Sequence, residues 1–328
     1  MSLVNLAWNT KVRLILSDVD ETIAEVYSPA ETEMIEELSS LLKEGYKLFF
    51  VTGGSLARVR KDITDRIDPF LRGSILISHC SGSEVWGFTS DGVLRDKPFY
   101  SVYESTFTPE IKQKWRSVIA QLVEEFELRP HPAQPKVDFW REVGREPRDI
   151  MLDDRGPQIT MEVVNATDLN TAQLDQFKQS IPLTHGKHDL RSAIKERAKQ
   201  LLEESNIPIT ARFGGNFALD FAVKGVSKTT SITTVLNDKN LLTTLGLKPD
   251  DLNSPEHFEV WGDKFSELHG GTDRHMSEAL PPSVRSIDFR EENPTEFPRG
   301  YNIMVWTGEH HLHHGRLEYL SKRHSINK

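Results

Sequence analysis

The first strong apolar run, Val12-Arg13-Leu14-Ile15-Leu16-Ser17, opens on a β-branched residue and stops abruptly at Asp18-Val19-Asp20-Glu21-Thr22. That pattern predicts a buried strand ending in carboxylates. Ser28-Pro29 then supplies a cap and a first-turn proline, and Met34, Ile35, Leu38, Leu41 and Leu42 recur at helical spacing until Gly45 closes the segment. Lys47-Leu48-Phe49-Phe50-Val51 reads as a second buried strand that ends in Thr52-Gly53-Gly54-Ser55, after which Val59, Ile63 and Ile67 mark another helix. Strand, helix, strand, helix with short links is the signature of a parallel sheet built from βαβ units. A third strand, Ile75-Leu76-Ile77-Ser78, leads to a hairpin around Ser90-Asp91-Gly92, between Val85-Trp86-Gly87-Phe88 and Val93-Leu94.

From about residue 97 the alternation changes character. A helical stretch from Pro109 to Glu125 runs into the Pro-rich passage Arg129 to Pro135, which reads as a loop. Strand-like segments follow at Arg148 to Asp153 and Gln158 to Val164, then two polar-faced helices at Asp168 to Ser180 and Asp189 to Ser205, and a strand at Ile207 to Phe213. The parallel pattern resumes with Phe217-Ala218-Leu219-Asp220-Phe221, a Lys224-Gly225 turn, a helix from Ser227 to Leu236 and the short strand Glu259-Val260-Trp261. Strands at Ser286 to Phe289 and Tyr301 to Trp306 and a closing helix at His311 to Lys322 complete the pattern. The expected class is therefore α/β: a Rossmann-like parallel-sheet core in two parts, 1–96 and 213–328, split by an inserted α+β cap at 97–212.

Composition narrows the partners. Lys plus Arg is 40 and Asp plus Glu is 49, giving a net charge of -9. That balance argues against broad nucleic-acid or anionic-membrane binding, which needs clustered cations. The single cysteine, Cys80, excludes an internal disulfide framework and a Cys-rich zinc module and fits a reducing compartment, so no role is assigned to it. No signal pattern opens the chain and no apolar stretch is long enough for a membrane helix; the expectation is a cytoplasmic protein.

In open α/β sheets reactive groups gather beyond the carboxyl ends of the strands. Three such ends here carry Asp18 and Asp20, Thr52-Gly53-Gly54, and Asp263 with Asp273 shortly after, and Lys228 opens a helix behind the Lys-Gly turn. Carboxylates converging in this way repel one another unless a hard cation such as Mg²⁺ neutralises them, which points to metal-assisted phosphoryl chemistry.

The same residues carry a resemblance. Ser17-Asp18-Val19-Asp20-Glu21-Thr22 resembles the first motif of the haloacid-dehalogenase-like phosphotransferase superfamily, Val51-Thr52-Gly53-Gly54-Ser55 its second, Lys224-Gly225-Val226-Ser227-Lys228 its third, and Gly262-Asp263 with Thr272-Asp273 its fourth. The insert between the second and third motifs is where subclass IIB members carry their cap. Gly214-Gly215, Asp220, Gly262-Asp263-Lys264, Gly270-Gly271-Thr272-Asp273 and the cap stretch Asp154 to Thr160 look most like phosphomannomutase and its bacterial relatives. The resemblance implies that Asp18 is the nucleophile and Asp20 the general acid and base. It further implies that Thr52, the Gly53 amide and Lys228 hold the phosphoryl group, and that Asp18, Asp20 (through its carbonyl), Asp263 and Asp273 ligate Mg²⁺.

The activity expected on that basis is Mg²⁺-dependent hydrolysis of a small phosphorylated metabolite, a sugar phosphate. The alternatives are a phosphohexomutase and, lower, a non-catalytic sugar-phosphate binding protein. Glu21 stands where many members have Gly and Thr272 where Asn is usual, and Glu267 competes with Asp273 by position. In the cap, Arg141, Arg145, Arg148 and Arg155 form a solvated face, or else Arg155 and Gln158 reach the substrate. His310, His311, His313 and His314 read as a polar helix entry rather than a metal site. Oligomeric state is not legible in one chain.

Overall fold

The run that stops at Asp18 forms strand β1 (Leu14–Ser17), buried at every position. The computed structural model describes residues 6–167, 169–184, 187–214 and 217–325. The strands that follow β1 in chain order are β2 (Lys47–Val51), β3 (Ile75–His79), β4 (Glu84–Gly87), β5 (Tyr100–Ser101), β6 (Arg129–His131), β7 (Asp149–Asp154) and β8 (Gln158–Glu162). A short antiparallel pair, β9 (Leu183–Thr184) and β10 (Lys187–His188), precedes β11 (Ile209–Gly214), β12 (Ala218–Val223), β13 (Phe258–Gly262), β14 (Arg285–Asp288) and β15 (Ile303–Val305). They fall into two units: 1–101 with 226–328, the core, and 102–225, the cap.

The core sheet runs β15-β14-β13-β1-β2-β3-β4-β5, parallel from β15 through β3 and antiparallel at β4 and β5. Both faces are covered, so its strands carry apolar side chains at odd and even positions alike. Ile15, Leu48, Phe50 and Ile77 join one buried layer with Met34, Leu38 and Leu41 of the helix Thr32–Lys43. Leu14, Leu16, Phe49 and Val51 join the other, with Ile232 and Val235 of the helix Lys228–Asn237. Each such side chain contributes roughly 1.5–3 kcal/mol by leaving water.

The cap holds a five-stranded sheet in the order β11-β12-β8-β7-β6, antiparallel except for β6 beside β7. The helix Leu190–Glu204, capped by the Asp189 side chain, packs on β11 and β12 and against the helix Pro109–Glu125. The architecture is thus an α/β core with a mostly parallel sheet and a separate cap sheet.

Three sequence expectations need correction. Ala218–Val223 does not resume the parallel core; it lies antiparallel between β11 and β8 in the cap, so the second boundary falls after Gly225 instead of at 212. The Pro-rich passage is not all loop, because Arg129–His131 forms β6 at the sheet edge, where Pro130 lacks only a ladder donor the edge does not need. The helix expected at 168–180 shrinks to Thr171–Leu174, capped by Asn170; Asp168 lies outside the described residues. Among the described residues no helix is long and apolar enough to cross a membrane.

Candidate active site

Parallel pairing of β1 with β13 sets Ser17 opposite Trp261, so Asp18 and Asp263 leave the same sheet edge side by side. The Asp18 amide still donates to the Trp261 carbonyl at 2.9 Å, extending the ladder to Asp18 itself. On the other flank β2 delivers Thr52, whose Oγ1 accepts the Gly54 N–H at 2.9 Å, and residues Cys80 and Ser81 clasp this turn through their own amides. A Cβ placed on Gly54 would lie 3.9 Å from Asp20 Oδ2, which sets the Thr52-Gly53-Gly54 turn against the second aspartate.

Lys228 opens the helix Lys228–Asn237 with Ser227 as its N-cap. Its ammonium donates to Asp18 Oδ1 and to Asp273 Oδ1, both at 2.7 Å, and is only 4% exposed. Asp273 is fixed further by the amides of Asp263 (2.9 Å) and Lys264 (3.0 Å), both bonded to its Oδ2. A Cβ on Gly262 would strike that oxygen at 2.7 Å, so only glycine lets the loop close on Asp273. Glu267, the positional competitor, is exposed.

Electrostatics follows from this crowding. Burial, then the charge of Asp273, pushes the Asp18 carboxyl up to about 7, against the pull of Lys228. Burial and Asp273 likewise push Asp263 well above the ordinary carboxylate range. Asp273 itself is also buried, but Lys228 and the amide of Asp263 outweigh that and hold it below the ordinary value. For Lys228, burial works against the charge and the two carboxylates win, raising it. One oxygen each from Asp18, Asp263 and Asp273 lies within 4.8 Å of the others. Two carboxyls forced upward beside a third, all hard oxygen donors, are the environment a dication such as Mg²⁺ would relieve, so the donor set fits that ion.

Three arginines around the site are not singled out by the sequence pattern. Arg58, in the helix Leu56–Asp62, pairs with Asp20 and with Asp62 (3.6 Å) and stacks on Tyr27. Arg290, two residues beyond β14, donates its Nε to the Asp263 carbonyl and carboxylate, both at 3.0 Å. The strand-end rule that singled out Asp263 applies equally to β14 and could have found Arg290. Arg316, fully buried, lies 4.0 Å over the Trp261 ring and donates to Ser17 Oγ (3.2 Å) and the Thr22 carbonyl (3.5 Å), bracketing the loop that carries Asp18 and Asp20. Glu21 sits at φ 65°, the left-handed region. A side chain at such a position carries local strain that glycine would avoid.

Arg155 and Gln158 belong to the cap. Arg155 Nε bonds Asp153 at 2.7 Å, and Gln158 donates to Thr160, which donates to Asp220 at 2.8 Å. In register, Asp153, Thr160 and Asp220 form one row across β7, β8 and β12, so this face of the cap sheet is polar. Arg148 pairs with Glu127 and Arg141 with Asp138, as a solvated face does. Gly215 lies outside the described residues.

A pH effect is expected of the metal-free chain. Asp18 and Asp288 are both raised to about 7, the latter by burial, and Asp263 is raised too, so between the unfolded value of 3.8 and about 7 the folded state binds more protons than the unfolded one. Stability must then fall as pH rises through that window. The depressed Asp273 acts in the opposite sense but only below its unfolded value of 3.8. Thermal melts in a chelator should give a lower Tm at pH 8 than at pH 5.5, with millimolar Mg²⁺ removing most of the difference; a Tm that climbs with pH in the chelator would contradict the assignment.

No family model matches this chain, and no curated protein matches it. Solved structures do. A trehalose-6-phosphate phosphatase related protein aligns with TM-score 0.54 at 14% identity, over 96% of this chain and 100% of its own. The C-terminal domain of the Candida albicans trehalose-6-phosphate phosphatase aligns with TM-score 0.55 at 12% identity, over 96% and 93%. A Eubacterium rectale protein aligns with TM-score 0.51 at 12% identity, over 95% and 99%. At these identities the likeness is one of fold, and it extends over core and cap together.

Proposed function

We propose that this chain is a haloacid-dehalogenase-like phosphomonoester hydrolase acting on a small phosphorylated metabolite, a sugar phosphate, through an aspartyl-phosphate on Asp18. The observation that carries the reading is Lys228 seated between Asp18 and Asp273 at 2.7 Å from each, beside Asp263 and the Thr52 turn. Two of the fold neighbours are named for trehalose-6-phosphate phosphatase, which favours a sugar phosphate.

Lys228 holds Asp18 Oδ1 and so orients the carboxylate. Its second oxygen attacks phosphorus as the bond from phosphorus to the sugar oxygen breaks, and Asp20 gives its proton to the departing alkoxide. Asp20 then takes a proton from water; that water's oxygen bonds to phosphorus, the Asp18–phosphorus bond breaks, and phosphate leaves. Thr52, the Gly53 amide, Lys228 and the helix end it opens offset charge on the phosphoryl oxygens. Asp18, Asp263 and the Asp20 carbonyl would hold Mg²⁺, with Asp273 at the edge of the set because Lys228 and two amides already engage it. When bound, the ion supplies positive charge to phosphate and nucleophile. The residues put forward for recognising the sugar are Arg155, in the turn between β7 and β8, and Gln158 of β8. The single buried Cys80 fits a reducing compartment.

The test is ³¹P NMR of the protein with Mg²⁺, hexose 1- and 6-phosphates and a trace of hexose bisphosphate. Inorganic phosphate is expected, and Arg155→Ala should raise KM more than it lowers kcat. Interconversion of the 1- and 6-phosphates without free phosphate would replace hydrolase by mutase, and no turnover of any phosphoester offered would overturn the reading.

A further inference from the structure

Away from the active site, side chains from the two ends of the chain meet on the core unit. Glu31 is the N-cap of the helix Thr32–Lys43, and His313 and His314 stand in the first turn of the helix Leu312–Ser321. One ligand atom of each lies within 4.8 Å of the others. Adjacent helical residues diverge by about 100°, which is why the histidine run reads as a polar helix entry in sequence. The structure differs: Leu312, just before the pair, is left-handed at φ 55°, and the His313 and His314 rings lie with centroids 4.2 Å apart.

His314 Nε2 and Glu31 Oε1 make a surface ion pair at 3.0 Å, and one detail goes beyond it. His313 Nδ1 is sealed from solvent with no hydrogen-bond partner among the described residues, a costly state for a ring nitrogen. Glu31, Glu21 and Glu25 make the local field negative, as a bound cation requires.

We propose that Glu31, His313 and His314 form a binding site for a borderline transition-metal dication of the zinc class, separate from the carboxylate cluster, that fastens the C-terminal helix to the start of the helix Thr32–Lys43. Two imidazoles and one carboxylate suit zinc, whereas Mg²⁺ prefers oxygen alone, so the two sites sort ions by ligand chemistry. A water molecule would take a fourth position.

The experiment is calorimetric titration of the tag-free full chain with ZnCl₂ in excess Mg²⁺, which keeps the carboxylate cluster occupied, repeated on Asp263→Asn. One zinc equivalent is expected in both proteins, with a micromolar or tighter Kd and a Tm rise of about 5 °C at excess zinc. His314→Ala and Glu31→Gln, at exposed positions, should melt like wild type in EDTA and lose at least about tenfold in zinc affinity. Co²⁺ should give a visible d–d band that the same variants lose. Absence of zinc binding under Mg²⁺, or full affinity in both variants, would overturn the proposal. The readout is independent of phosphatase activity, so the two readings stand or fall separately.

Discussion

Asp18→Asn is expected to lower phosphate release by at least about 10⁴-fold while the folded chain persists, because a carboxamide cannot form the proposed aspartyl-phosphate, which the other groups only assist. The side chain is nearly isosteric, and the ladder bond from the Asp18 amide to the Trp261 carbonyl is untouched. The substitution also removes a carboxyl that burial and Asp273 already push up to about 7, so the chain should not be destabilised at neutral pH. The check is a paired one, with phosphate release on the best substrate and a thermal melt. A variant that keeps more than about a hundredth of the wild-type rate would remove Asp18 from the nucleophile role.

Lys228→Met is the second large effect, and it strikes rate and stability together. The lysine is the cation bonded to both Asp18 and Asp273. Without it three buried carboxylates face one another with that charge gone, which should cost about 3–5 kcal/mol in the metal-free chain. Loss of one preorganised cation at the phosphoryl position should lower kcat by about 10²–10³ even where the fold survives. The stability deficit has a sign that can be read against pH. Lys228 is raised above its unfolded value of 10.5, so its contribution is present throughout the neutral range. In the variant the deficit should be largest at pH 8 and shrink toward pH 5, where Asp18 takes up a proton, and Mg²⁺ should recover part of it. A melt identical to wild type at pH 8 in a chelator would show that the ammonium is not what holds the cluster together.

Much of the core was legible because its strands announce themselves. The runs before Asp18, Thr52 and Asp263 are short, apolar and cut off by residues no interior would accept unpaired, and the site residues stand at those cuts. What the sequence could not show was pairing. Ala218–Val223 has the same apolar look as a core strand, and nothing local tells a strand whether its neighbour will be β8 or β13. Arg58 reaches Asp20 only once helix and sheet are assembled, across 38 residues of chain, so spacing gives no hint of it, whereas Arg290, just past the end of β14, needed only the strand-end rule carried one strand further. The converse holds for Asp273, which position alone left in competition with Glu267 and which the Gly262 close approach singles out. The approach of the His313 and His314 rings has a local cause, a left-handed Leu312 that no apolar pattern encodes.

The seam between β1 and β13 also sets an order of events during synthesis. Strand β1, which leads to Asp18, emerges early, yet its parallel neighbour on one side, Phe258–Gly262, follows only after the entire 102–225 unit has left the ribosome. The cap is continuous in sequence and can complete its sheet while the core still lacks β13, β14 and β15. Until those strands arrive, β1 presents an unpaired edge of four apolar or small residues to the crowded exit region, the kind of edge that invites mispairing. A nascent chain whose 102–225 unit has cleared the ribosome before Phe258–Gly262 emerges would therefore carry a finished cap and an open half-sheet, and it is this intermediate, rather than the mature protein, that chaperones should hold longest.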